Sequence, residues 1–135
     1  MKPEHESKFD RVMIIDDTEV DTYITAKILS NNNFGRTLFK FSEAVMALKY
    51  LQDNQENMEL LPEVIFVDIY MPIMTGFEFM KAYDYLPAAF KKHCKAFIIS
   101  STTDIRDITR AHNDKNVVAF QEKPITNEFL RKIVH

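Results

Sequence analysis

The chain of 135 residues has one cysteine, two glycines and no long apolar run, and each shortage excludes something. A lone Cys94 cannot build an internal disulfide framework, and it fits a reducing compartment. No stretch of about 18 apolar residues is present to span a membrane. The opening segment, MKPEHESKFD, lacks the apolar core of a secretory signal, so a cytoplasmic location is the expectation. Basic residues never cluster beyond Lys91-Lys92 and the net charge is −3, which argues against nucleic acid. Gly35 and Gly76 both fall in turn-like surroundings, so no segment reads as a flexible linker, and there is no repeat or low-complexity tract. Hydrophobic residues make up 46% and charged residues 27%, an ordinary balance for one soluble domain.

What is present is a series of short apolar runs: Val12–Ile15, Val64–Val67, Ala96–Ile99 and Val117–Phe120. Continuous runs of this kind suit strands buried on both faces, as in a parallel sheet. Arg36–Phe41 alternates more and reads as an edge-like strand. Between the runs lie helical spacings. They are Val20, Ile24, Ile28 and Leu29; Ala44, Ala47, Leu48 and Leu51; Phe77, Met80 and Tyr83, with Phe79 on a flank; Ile105, Ile108 and Ala111; and Phe129, Leu130 and Ile133. Thr18 followed by Asp21 is a start signal for the first helix, Ser42 one for the second, and Gly35 stands where a helix C-cap or turn belongs. The predicted order is strand then helix, repeated as (βα)5. Right-handed crossovers make that an α/β fold, a doubly wound five-stranded parallel sheet with helices on both faces. Residues 1–10 are expected to form an N-terminal tail and residues 11–135 the domain. Tyr85–Lys95 is longer than the fold requires, which leaves room for an extra helical turn or a partner surface.

In an open α/β sheet, ligands bind beyond the carboxyl ends of the strands. Here the first run ends in Asp16-Asp17, the third strand in Asp68 and the fourth in Ser100-Ser101, while the fifth leads to Lys123-Pro124. Three carboxylates, a hydroxyl and an ammonium are thereby directed to one rim. Carboxylates about 4 Å apart repel by roughly 4 kcal/mol per pair at an effective dielectric near 20. Such a cluster calls for a cation or for raised pKa values. A hard divalent ion, Mg²⁺ above all, suits these oxygen donors. The absence of His and Cys at the strand ends disfavours zinc. Lys123 offers a point charge to a phosphate, and Ser100 a neutral donor. Asp16-Asp17 taken alone is a solvated turn before a helix; its company at the other strand ends is what makes it a site. Ser100 directly follows Ile99, but counting back from Lys123 leaves Ser101 open as the hydroxyl.

VMIIDD, VIFVDIYMPIMTG, FIISS and FQEKPIT, in this order and spacing, closely resemble the receiver domains of two-component response regulators, from Arg11 to the C-terminus. The most specific piece is Asp68 followed by Met71-Pro72 and then Gly76. The resemblance implies a CheY-like, flavodoxin-like fold with strand order 2-1-3-4-5. It implies that Asp68 accepts a phosphoryl group in a Mg²⁺-dependent way from a sensor histidine kinase or a histidine phosphotransfer protein. Asp17, Asp68 and the Tyr70 backbone carbonyl would hold Mg²⁺ directly, and Asp16 through water. Ser100 fills the place of the switch hydroxyl, and Lys123 pairs with a phosphate oxygen. The Lys123–Pro124 bond is expected to be cis, and Phe120 matches the aromatic switch. Thr75 departs from the family's frequent Asp. Tyr70 and Thr102 occupy positions that in the family tune dephosphorylation. For Tyr70 a ring that screens attacking water and a solvent-facing ring without effect both remain open.

Such a domain is no enzyme on outside substrates; it catalyses its own phosphorylation and dephosphorylation. The alternative is a phosphorylation-independent, receiver-like adaptor, although degenerate domains of that kind usually lose a site residue and this chain keeps all of them. A haloacid-dehalogenase-type hydrolase would want an acid where Tyr70 stands. A flavodoxin-like cofactor binder would want a Ser-, Thr- or Gly-rich phosphate loop where DDTEVD stands. His5, His93, His112 and His135 are scattered and read as surface residues, and Cys94 as structural. The end at His135 leads to the expectation of a stand-alone domain whose output is binding or phosphorelay. Its target face would be the fourth helix, fifth strand and fifth helix, with Phe120, Asn127, Glu128, Arg131 and Lys132. No direct nucleic acid and no membrane are expected as partners, and the domain is expected to be a monomer or a weak phosphorylation-dependent dimer.

Overall fold

The most apolar runs form the middle of the sheet. In the computed structural model, which describes residues 6–135, they are β1 (Phe9–Ile15), β3 (Val64–Val67) and β4 (Lys95–Ser100). From Val12, Val64 and Ala96 onward every residue of these strands is buried. The edges, β2 (Gly35–Phe41) and β5 (Val117–Glu122), are half exposed. All neighbours pair in parallel in the order β2-β1-β3-β4-β5, as the resemblance implies. A register shift between Ala96 and Phe97 sets Ser100 level with Glu122. β1 takes in Phe9 and Asp10 from the segment read as tail, because the Phe9 ring packs 5.1 Å from that of Phe34. For residues 1–5 the tail expectation lies outside the described residues.

Alternation along the strands divides the core in two. Met13, Ile15, Ile65, Val67 and Ile98 cluster with α2 (Ala44–Asp53), α3 (Gly76–Tyr83) and α5 (Ile105–His112). Val12, Ile14, Val64, Phe66, Phe97 and Ile99 cluster with α1 (Glu19–Asn31) and α6 (Asn127–Lys132). Each such side chain contributes about 1.5–3 kcal/mol when fully buried. Tyr85–Lys95 holds the extra helical turn, α4 (Ala88–Lys92), pinned by Phe90 edge-on to Tyr83. Cys94 sits buried just before β4, and burial pushes its thiol up to about 12.

Several helix faces differ from those the spacing predicts. α1 buries Thr25, Ala26 and Leu29, while Val20 is 65% exposed and Ile24 39%. The small Thr25 and Ala26 let that face approach the sheet, and the bulky residues are left outside. α5 buries only Ala111, and Ile105 is 70% exposed. Phe79, read as a flank, is fully buried. The turn after α1 is made by Asn32 and by Asn33 at φ 48°, not by Gly35, which opens β2. Glu43 rather than Ser42 precedes α2, without a side-chain cap.

Candidate functional site

The backbone ladder runs one residue past the strands and thereby sets the rim. Asp16 N donates to Phe41 O at 3.0 Å, Asp68 N to Ile15 O at 3.0 Å, and Lys123 N to Ser100 O at 3.0 Å. Asp16 and Asp68 are buried, Asp17 is exposed, and Ser100 is buried as the last residue of β4 while Ser101 is exposed. The Lys123 ammonium donates to Asp16 Oδ2 at 2.6 Å and to Asp21 Oδ2 at 2.9 Å, and lies 3.3 Å from Asp68 Oδ2. Asp16 Oδ1 accepts from Thr18 N at 2.9 Å, and Asp68 Oδ1 from Ile69 N at 2.8 Å. The Lys123–Pro124 peptide is cis. Phe120 is half-buried, level with Ile98 and packed on the α2–α3–α5 side of the core.

Electrostatics follow from this crowding. Burial raises the Asp68 carboxyl above the ordinary carboxylate range; Lys123 pulls the other way, and Asp16 adds to the rise. For Lys123, burial works against the ammonium, but the bonds to Asp16 and Asp21 and the charge of Asp68 outweigh it and raise its pKa. Asp16, Asp17 and Asp68 each bring a carboxylate oxygen within 4.8 Å of the others. An all-oxygen set with one exposed member, open to water ligands, fits Mg²⁺ rather than a nitrogen- and sulfur-seeking metal.

The loop after Asp68 is held tightly. Met74 N donates to Pro72 O at 2.7 Å across Ile73, whose φ of 71° makes a γ-turn with a β-branched residue at its centre. Gly76 N donates to Ile69 O at 2.8 Å, and a Cβ on Gly76 would sit 2.2 Å from the Asp68 carbonyl oxygen. Glycine is therefore required where α3 lies against the backbone of Asp68. Thr75 and Glu78 close a capping box at that helix, which gives Thr75 a structural role.

Two residues that bear on the site were not foreseen from sequence. Asp21, read as part of a helix start signal, turns its carboxylate to Lys123, while the Thr18 side chain makes no cap bond. Asp107, on α5, accepts from the Tyr70 hydroxyl and, at 2.9 Å, from Thr102 Oγ1. Thr102 N in turn donates to Ser100 Oγ at 3.3 Å, so both variable flanking positions meet at one carboxylate beside the site. Asp107 raises the Tyr70 phenol pKa. The Asp21 and Asp107 contacts join different elements, and only the helical position of each residue was visible beforehand.

The sheet order and the rim define a doubly wound α/β domain with a carboxylate-and-lysine site at the carboxyl edge of its strands. The chain belongs to the response regulator receiver domain family, whose profile matches residues 12–135. It is 26% identical over 125 residues to the two-component response regulator ORR1 of Oryza sativa subsp. japonica, covering 91% of this chain and 53% of that protein. The chain thus spans about half the length of the curated relatives it matches. Among solved structures, a response regulator receiver protein from Dyadobacter fermentans DSM 18053 is 30% identical, with a TM-score of 0.79 over 90% of this chain and 91% of that one. A two component response regulator from Cytophaga hutchinsonii has a TM-score of 0.84 at 23% identity, with 92% of each chain covered. Among the described residues, no helix is long and apolar enough to cross a membrane.

Proposed function

We propose that Asp68 accepts a phosphoryl group, with Mg²⁺ held directly by Asp17, Asp68 and the Tyr70 carbonyl and through water by Asp16. The donor is the phosphohistidine of a sensor kinase or phosphotransfer protein, or a small phosphodonor. The observation that carries this reading is the Lys123 ammonium 3.3 Å from Asp68 Oδ2, with Asp16 and Asp17 beside them. An Asp68 oxygen forms the new O–P bond as the donor bond to phosphorus breaks: the P–N bond of a phosphohistidine, whose electron pair leaves with the imidazole nitrogen, or the P–O bond of acetyl phosphate, whose electron pair leaves with acetate. Phosphoryl transfer of this kind is catalysed mainly by positioning and by charge neutralisation. Mg²⁺, when bound, neutralises the clustered carboxylates and the phosphoryl oxygens. Lys123 turns from Asp16 and Asp21 to one phosphoryl oxygen, and Ser100 Oγ leaves the Thr102 amide to donate to another. Phe120 then moves into the space beside β4, which shifts the population of the surface a partner reads.

The output face is α5, β5 and α6. Exposed Ile105 and Val118, together with exposed Asn127, Glu128, Arg131 and Lys132, support its use for binding a downstream protein, and phosphorelay is the other route. The domain turns over no outside substrate, works in the cytoplasm, and is a monomer or a weak phosphorylation-dependent dimer. Intact mass after incubation with Mg²⁺ and acetyl phosphate tests the reading. One phosphoryl group is expected on the wild type and none on Asp68→Asn. No gain on the wild type, with no Mg²⁺-dependent binding of a phosphoryl mimic, would transfer the case to a phosphorylation-independent adaptor.

A further inference from the structure

We propose that Asp21 is a positioning residue that holds Lys123 back from the phosphoryl site in the resting state, and so sets how readily the site takes a tetrahedral anion. The inference rests on the reading of Asp68 as phosphoacceptor. Lys123 has three N–H donors. Two are committed, to Asp16 Oδ2 at 2.6 Å and to Asp21 Oδ2 at 2.9 Å, and both partners are nearer than Asp68 Oδ2 at 3.3 Å. Asp21 stands outside the carboxylate trio able to share a cation, which consists of Asp16, Asp17 and Asp68. Its charge is therefore available to Lys123 whether or not that trio is neutralised. Nor does helix capping occupy it, since the Thr18 amide that a capping carboxylate at Asp21 would accept from donates instead to Asp16 Oδ1 at 2.9 Å.

The pair lies at the edge of the rim. The Lys123 side chain is 10% exposed and that of Asp21 33%, and the two share a depression with Ile24, Thr25, Ser101 and Pro124. An arriving phosphoryl group must draw Lys123 off Asp21 and must also enter the field of a fourth carboxylate. Asp21 thus opposes phosphorylation twice, by contact and by charge. Once the phosphoryl group is lost, the same carboxylate recaptures the ammonium and restores the resting arrangement.

Fluoroberyllate, a tetrahedral phosphoryl mimic, tests this by calorimetry at saturating Mg²⁺. Binding to wild type and its loss in Asp68→Asn are checked first; failure there overturns the phosphoacceptor reading itself. Asp21→Asn should then bind the mimic about two- to fivefold more tightly, the scale of a partly exposed ion pair. Glu19→Gln removes an equal charge from the same helix turn without touching Lys123, and should change binding by less than about 1.5-fold, as expected of a screened surface charge. Asp21→Glu should restore wild-type affinity. Asp21→Ser replaces the Asn variant if that one does not unfold cooperatively. Equal or weaker binding in the Asp21 variants, equal tightening from Glu19→Gln, or weakened binding of Mg²⁺ alone in Asp21→Asn would each overturn the proposal.

Discussion

Replacing Asp68 by Asn should stabilise the metal-free protein, the opposite of what most buried substitutions do. The Asp16 and Asp68 oxygens within 4.8 Å repel by about 3.5 kcal/mol at an effective dielectric near 20. Exposed Asp17 adds roughly half as much through water. The Lys123 ammonium at 3.3 Å returns about 5 kcal/mol of attraction. The charges nearly cancel, so burial of the carboxylate decides the sign, and burial is also the leading cause of its raised pKa. Asn keeps the shape and a carbonyl oxygen for the Ile69 amide, while Lys123 remains bonded to Asp16 and Asp21. The gain should be about 1–2 kcal/mol, or roughly 3–8 °C in Tm for a domain of this size.

The pH dependence fixes the cause. A folded-state pKa raised above the unfolded value of about 3.9 makes the ionised wild type pay its full penalty above the folded pKa. That penalty shrinks as pH falls through the folded pKa and is gone below the unfolded one, so the advantage of Asp68→Asn should vanish on the same path. Mg²⁺ should reverse the ranking, because a ligand that binds only the folded state raises Tm and the variant has lost one of its donors. Thermal unfolding followed by circular dichroism, in chelator at neutral and at low pH and then in Mg²⁺, measures all of this. A lower Tm for Asp68→Asn in chelator at neutral pH, or no Mg²⁺ stabilisation of the wild type, would refute the reasoning.

Tyr70→Asn should shorten the acyl phosphate lifetime severalfold, read as phosphate release, because it removes a ring two residues along the chain from Asp68 and tethered through its hydroxyl to Asp107; an unchanged rate would mean the ring does not screen water. Gly76→Ala should cost about 2–4 kcal/mol in denaturant titrations, since its Cβ would meet the Asp68 carbonyl oxygen at 2.2 Å and neither backbone can yield cheaply. Ile73→Gly should raise stability by about 0.5–1 kcal/mol, as relief of a positive φ in a β-branched residue outweighs the backbone entropy of glycine, and the side chain is 80% exposed. Cys94, buried and with its thiol pushed up to about 12, should react with a thiol reagent only at the rate of unfolding, whereas fast stoichiometric labelling of the native protein would contradict its placement.

The sheet was legible because three of its strands are covered on both faces, so their residues had to be apolar without interruption. Val64–Val67 and Ala96–Ile99 therefore stand out with no knowledge of the helices. Phe9 and Asp10 were not assigned to β1, since a polar pair, Asp10-Arg11, separates Phe9 from the apolar run of the strand. Helix faces were read less well. A spacing rule rewards large apolar residues, and on α1 it selected Val20 and Ile24. Packing selects for close approach instead, and chose Thr25 and Ala26 with Leu29. The same preference leaves Ala111 as the buried residue of α5 while Ile105 faces solvent.

The rim was legible for a reason of topology. In a parallel sheet every strand points its carboxyl end the same way, so whatever follows Ile15, Val67, Ile99 and Glu122 must meet at one edge. Asp16, Asp68, Ser100 and Lys123 are brought together by backbone alone, and no side-chain contact had to be guessed. Asp21 and Asp107 reach the site from helices, by side chains that cross from one element to another. Asp21 meets Lys123 across 102 positions of sequence, and no periodicity encodes that contact. A receiver's common chemistry can therefore be read from its strand ends, while Asp21 and Asp107, whose carboxylates meet Lys123 and the Tyr70 hydroxyl, lie on helices. That division is why substitutions at Asp21 and Asp107, rather than at the rim itself, should change the timing of the switch and leave its chemistry intact.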